Sequence, residues 1–339
     1  MDQIDEISKE TYELSEGLSE SFSLEKILES TLNGESFFHN QELISGIKDL
    51  ALYEIRNAMI LGVEILIICV VIGLLKNLSA SFGSKSMSDI SMLVCTMVII
   101  GISMNSFRIV YQLALDSVSV MVSTMEILTP ILLGIMISTG AVTSGSILSP
   151  VIIGSVTGFG VILKKIILPA LFVATILGLI NCLTEKDYVN KLGKLIRNAS
   201  LIVTGLIIAV LTGIITIQGL ITETSDSLLM SAFIPIVGGF TSDTIELFLR
   251  CMGTIKNVVG VFAVITLVLI VVVPLIKILI IALIYKLTAA VTEPVSESKI
   301  SDGLNEMGSC LISMASIMFF CALLFIMFVS IILRIGGNA

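Results

Sequence analysis

Residues 127–163 read ILTPILLGIMISTGAVTSGSILSPVIIGSVTGFGVIL, 37 consecutive positions without a charged side chain. Soluble domains carry about 25% charged residues, so a stretch like this belongs in lipid or deep inside protein. At 1.5 Å of rise per residue, a hydrocarbon core of about 30 Å takes about 20 residues. The stretch is therefore too long for one crossing. It is interrupted in its middle by Ser138-Thr139-Gly140-Ala141-Val142-Thr143-Ser144-Gly145-Ser146, and its halves, 127–137 and 149–163, fall short of a full crossing each. They read as a re-entrant or broken-helix pair, which a membrane tolerates only where the backbone meets protein or a wet cavity.

The rest of the chain supports the membrane reading. Of its 339 residues 55% are hydrophobic and only 14% charged, with a mean hydropathy of +1.07. Six segments approach the length of a span: 57–75, 90–107, 166–183, 199–220, 258–285 and 307–333. A second difficult segment, 228–250, starts apolar at Leu228-Leu229-Met230, passes Pro235, Gly238 and Gly239, and turns polar at Asp243, Glu246 and Arg250. It reads as a second proline-led broken segment, with a surface helix as the alternative. The fold class is thus an all-α polytopic membrane protein with about six full transmembrane helices plus two re-entrant or broken segments.

Charge divides the chain in two. Residues 1–56 hold 13 acids and 4 bases, whereas 57–339 hold 14 acids and 15 bases. We read 1–56 as an acidic helical head and 57–335 as the membrane body. Leu43, Ile47 and Leu50 follow helical spacing and lead into the first span. After Met1-Asp2 neither a basic nor an apolar signal region is visible. With each broken segment returning to its starting side, loops 76–89, 184–198 and 286–306 carry eight bases: Lys76, Lys85, Lys186, Lys191, Lys194, Arg197, Lys286 and Lys299. The longer connections 108–165 and 221–257 carry five, Arg108, Lys164, Lys165, Arg250 and Lys256. The excess of Lys and Arg in short loops marks the cytoplasmic side, which predicts that both termini are extracytoplasmic.

Enzyme chemistry finds no foothold. The six cysteines are scattered without CxxC spacing, and His39 is the only histidine, so neither a metal site nor a catalytic triad has its parts. Phosphate-cradling and nucleophile-elbow motifs are absent too. No cofactor is expected, and without a basic excess neither is nucleic acid; membrane lipid is the evident partner. The candidate functional residues are polar groups at membrane depth. Thr139, Gly140, Thr143, Ser144 and Gly145 in the first break, with Gly238, Gly239 and Asp243 in the second, are expected to line a cavity, because unsatisfied backbone in hydrocarbon costs several kcal/mol per group. Glu64 and Lys277 are intramembrane charges, each open to a packing or snorkelling account or to a place in a polar pathway.

Pro130 and Pro169 are 39 residues apart, as are Pro235 and Pro274, and the pairs are offset by 105; the same offset carries Gly134 onto Gly239 and Thr139 onto Thr244. Two readings remain: a parallel internal repeat of the kind that builds many transporters, or coincidence in apolar sequence.

The stretch Pro274-Leu275-Ile276-Lys277-Ile278-Leu279-Ile280-Ile281-Ala282-Leu283-Ile284-Tyr285-Lys286-Leu287-Thr288-Ala289-Ala290-Val291-Thr292-Glu293-Pro294 resembles the stage III sporulation protein AE family of endospore-forming Firmicutes. So do Phe233-Ile234-Pro235-Ile236-Val237-Gly238, Lys256-Asn257-Val258-Val259-Gly260, Thr184-Glu185, Leu195-Ile196-Arg197-Asn198 and Tyr53-Glu54. The resemblance covers roughly 50–335. It implies a multi-pass protein of the mother-cell membrane around the forespore. Its implied partners are the other stage III sporulation proteins, AA to AH, in a transenvelope channel complex. It supplies no catalytic residues. The leading expectation is a non-enzymatic channel subunit, with homo-oligomers compatible; a stand-alone secondary transporter built from two repeats and an inert membrane scaffold are the alternatives.

Overall fold

From Ile102 to Thr129 the chain has neither glycine nor proline, so nothing in that stretch stops a helix once it has begun. A computed structural model describes residues 41–82, 85–138, 142–183, 188–237, 242–294 and 298–335. The helices are α1 (Gln41–Phe82), α2 (Lys85–Ser138), α3 (Val142–Ile162), α4 (Leu168–Ile180), α5 (Tyr188–Val237), α6 (Ser242–Thr292) and α7 (Ser298–Ile335). A π-helical turn, Leu163–Ile167, joins α3 to α4, and a 3₁₀ turn, Asn181–Leu183, follows α4. Among the described residues there is no strand, and six stretches are long and apolar enough to cross a membrane: Ile55–Ile72, Thr96–Ser138, Gly145–Leu183, Tyr188–Gln218, Val258–Thr292 and Lys299–Arg334. The acidic head is described only from Gln41, where it is already the first part of α1.

The prolines are absorbed without breaking the rods. Pro130 and Pro274 lie inside α2 and α6. Pro169 stands at the start of α4, directly after the π turn. Proline cannot donate to the carbonyl four residues back, and one wider turn before it lets the ladder continue around the gap. Residues 127–163 belong to a long hairpin: 127–138 finish α2, and α3 begins at Val142. Gly145 closes that tip, since a Cβ there would run into the Ile137 side chain. By mean hydropathy the hairpin suits a membrane over 43 residues on one arm and 39 on the other, about 60 Å each, or about twice the hydrocarbon thickness of a bilayer, although Arg108, Asp116, Glu126, Lys164 and Lys165 fall within these stretches.

α2 runs antiparallel to α3, and α6 to α7. Near one end, a Cβ added at Gly193 would lie 3.0 Å from the Ala174 carbonyl oxygen, and one added at Gly308 would lie at the same distance from the Ala282 carbonyl oxygen. Near the other end Gly260 abuts Leu333. α7 is the central rod, packed on α6, α2, α5 and α4; α1 flanks α6 and α2, and α5 flanks the α3–α4 arm. The core is one continuous cluster that includes Phe107, Met121, Met125, Phe159, Tyr285, Phe325 and Phe328. The helix ends do not keep the 105-residue offset. α2 ends at Ser138 and α5 at Val237, 99 residues apart. α2 runs eight residues past Pro130 and α5 two residues past Pro235 before each ends, because a proline can sit inside a packed membrane helix.

Candidate functional site: a polar helix face and a buried ion pair

A rod that borders lipid should be apolar outside, and α5 obeys. Leu195, Ile202, Leu206, Val210 and Ile217 are exposed, and no charge occurs from 198 to 222. α2 does the opposite. Its inward positions Phe107, Val110, Ala114, Val118, Met121, Met125 and Leu128 are buried. Its outward positions Asn105, Arg108, Gln112, Asp116 and Glu126 are exposed, with Ser119 and Ser123 half-exposed between them. The steps are three, four, four, three, four and three residues, the period of one helix face. From Asn105 to Glu126 the face runs 21 residues, about 30 Å, the thickness of a hydrocarbon core.

The α3 side supplies the other edge of this face. Thr157 donates to Glu126 Oε1 at 3.0 Å, and Lys164 Nζ donates to Ser119 Oγ at 3.1 Å. Within α2, Gln112 Nε2 donates to Asp116 Oδ1 at 2.9 Å. Arg108 and Asp116 form no ion pair among the described residues. Beside the upper part of the face, Gly134, Gly154 and Gly158 are exposed, and a Cβ added at any of them would meet nothing within 4 Å. A charge against hydrocarbon costs at least a few kcal/mol. Three carboxylate or guanidinium groups in one row, plus a lysine, are therefore served by water or by protein.

A second polar feature lies inside the bundle, two turns from the opposite end. Arg197 of α5 donates through Nη1 to Glu306 Oε1 of α7 in an ion pair whose side chains keep only 15% and 6% of their surface. Gly178 admits it: a Cβ there would stand 2.9 Å from Glu306 Cγ. Cys310 adjoins the pair, and Thr175 lies beside Cys310. Nearby, Lys286 Nζ donates to Asn305 Oδ1 at 3.3 Å and Ser309 Oγ at 3.2 Å. Cys182 donates weakly to the Lys299 carbonyl at 3.3 Å, and Ser301 to the Ala289 carbonyl at 2.8 Å. These bonds tie α4, α5, α6 and α7 together at one end.

Of the residues expected to line a cavity, Thr139, Gly140, Gly238 and Gly239 lie outside the described residues. Thr143 and Ser144 belong to the first turn of α3, Asp243 to that of α6, and Gly145 is buried against Ile137 and Met136. Glu64 is exposed on α1 and Lys277 half-buried on α6. Read as connecting loops, 108–126, Arg197 and Glu306 point to neither the α2 face nor the Arg197–Glu306 pair. For the face a signal was present: 28 residues free of glycine and proline, with polar side chains at helical spacing. For Arg197 and Glu306, 109 positions apart, the sequence contains no comparable mark.

The chain matches the family model described as stage III sporulation protein AE over residues 22–336. It is 27% identical over 316 residues to the stage III sporulation protein AE of Bacillus subtilis (strain 168), an alignment spanning 90% of this chain and 78% of that protein. No solved structure matches it.

Proposed function

The chain belongs to the stage III sporulation protein AE family, and from that premise we propose that it is a non-enzymatic membrane subunit of a conduit between mother cell and forespore, working with other stage III sporulation proteins. The observation that carries this reading is the polar face of α2. A bundle that only anchored partners at its ends would have no use for Arg108, Gln112, Asp116 and Glu126 in an outward row on one of its apolar rods. A face of this length supplies a hydrophilic wall from one side of a bilayer to the other. Its place is the mother-cell membrane around the forespore, with the N- and C-termini outside the mother-cell cytoplasm; Lys76, Lys85, Lys186, Lys191, Lys194 and Lys299, at or beside the connections from α1 to α2, α4 to α5 and α6 to α7, support that orientation.

The test is to make the face apolar. A triple variant, Gln112→Leu, Asp116→Leu and Glu126→Leu, satisfies lipid better than the native chain does and should insert and accumulate normally while abolishing spore formation. Substitution of Leu206→Ala on the lipid-type face of α5 is the matched control and should sporulate normally. Wild-type sporulation by the triple variant, at wild-type protein level, would remove the face from the function.

A further inference from the structure

We infer that copies of this chain assemble around an axis parallel to α2, with the Asn105–Glu126 face turned inward, to enclose a water-filled pore for small hydrophilic ions. This deepens the proposed conduit and rests on it. One chain provides only one wall. The α2–α3 hairpin presents its polar row on the outside of the bundle, and nothing among the described residues closes over it. Rotation about such an axis brings every height of the face to the same height on the next copy. Asp116 then meets a ring of Asp116, and Glu126 a ring of Glu126, without any second sequence having to match the row.

The signs of the charges choose a pore over a dry seam. Symmetry sets like beside like, which a tightly packed interface rejects and a hydrated lumen accepts. Arg108, Asp116 and Glu126 are separated by eight and ten residues, about 12 and 15 Å of rise. That exceeds the Debye length of about 8 Å at physiological salt, so each ring acts as its own filter. Glu126 is held by Thr157 and Lys164 by Ser119, each through one hydrogen bond, which fixes both groups on the face while leaving Glu126 exposed. The open glycines Gly134, Gly154 and Gly158 adjoin the face where a neighbouring helix must come closest.

The test uses the purified full chain reconstituted in liposomes and planar bilayers. Single-molecule photobleaching should show several steps per particle, and the bilayers should conduct. In a background without native cysteines, Ser123→Cys should be modified by a water-soluble cationic thiosulfonate and lose most of its conductance, whereas Ile202→Cys on α5 should keep it. Glu126→Gln retains the acceptor for Thr157 and should lower the preference for cations over anions about threefold. One-step bleaching, absence of conductance, an unreactive Ser123→Cys, or unchanged selectivity in Glu126→Gln would each overturn the inference. If any of these occurs while the apolar triple variant still blocks sporulation, the face docks a different protein and the functional reading stands. If the triple variant sporulates, that reading has failed on its own.

Discussion

Replacing Glu306 by Gln changes one oxygen for an amide nitrogen and almost no volume, so it isolates the charge of the buried pair. Arg197 keeps a donor-acceptor contact through the remaining oxygen but loses its counter-ion. With 15% of the guanidinium side chain and 6% of the carboxylate side chain exposed, water supplies little compensation. Removing one member of a buried pair costs about 3–5 kcal/mol; the residual exposure of Arg197 argues for the lower end, about 3 kcal/mol. For a protein of this size that corresponds to a drop of about 5 °C in Tm. Cys310 adjoins the pair and Cys321 is buried further along the same helix, so a thiol-reactive dye reports unfolding of this region directly in detergent. The second arm is the double variant Arg197→Met with Glu306→Gln. It removes the stranded charge as well, and hydrophobic replacement of buried ion pairs is often neutral or better, so it should recover about 2 kcal/mol of the loss. A single variant melting within about 1 °C of the native chain, or a double variant no better than the single, would refute the claim that this pair is buried and coupled.

Other expectations can be checked in the same preparations. Gly308→Val forces a branched side chain toward the Ala282 carbonyl, 3.0 Å from the added Cβ, and against Lys286 Cγ at 2.8 Å; it should cost about 2 kcal/mol and lower the Tm of the dye assay. Tyr285→Phe deletes a buried hydroxyl that lies beside Ser103 and Ser106 without a hydrogen bond of proper geometry; relief of an unmet group should leave stability unchanged or raise it by about 1 kcal/mol, and a loss of about 2 kcal/mol or more would show that the hydroxyl has a partner such as water. For orientation, Lys191→Cys in a background without native cysteines should resist membrane-impermeant maleimide until the membrane is permeabilised, and its labelling in intact cells would reverse the assigned sides.

The membrane class and the number of spans were legible in the sequence because they depend on composition over windows of about 20 residues, which lipid reads directly. The ends of α2 and α5, at Ser138 and Val237, were legible in kind, as breaks in the sequence rich in glycine and hydroxyls. Their form was not. Whether 127–163 folds back as a separate re-entrant pair or extends two long rods depends on whether neighbouring helices satisfy the flanks, and α3 packs on both α2 and α5. Helical spacing from Asn105 to Glu126 was likewise written in the chain, yet helical spacing alone does not tell which side of a helix faces out. Only the burial of Phe107, Ala114, Met121 and Met125 against the bundle assigns the polar row to the exterior. The Arg197–Glu306 pair belongs wholly to the tertiary structure. Its members are brought together by the antiparallel return of α4 to α5 and by the bare surface of Gly178 on which Glu306 lies, and contacts between distant segments have no period or local composition from which to be read.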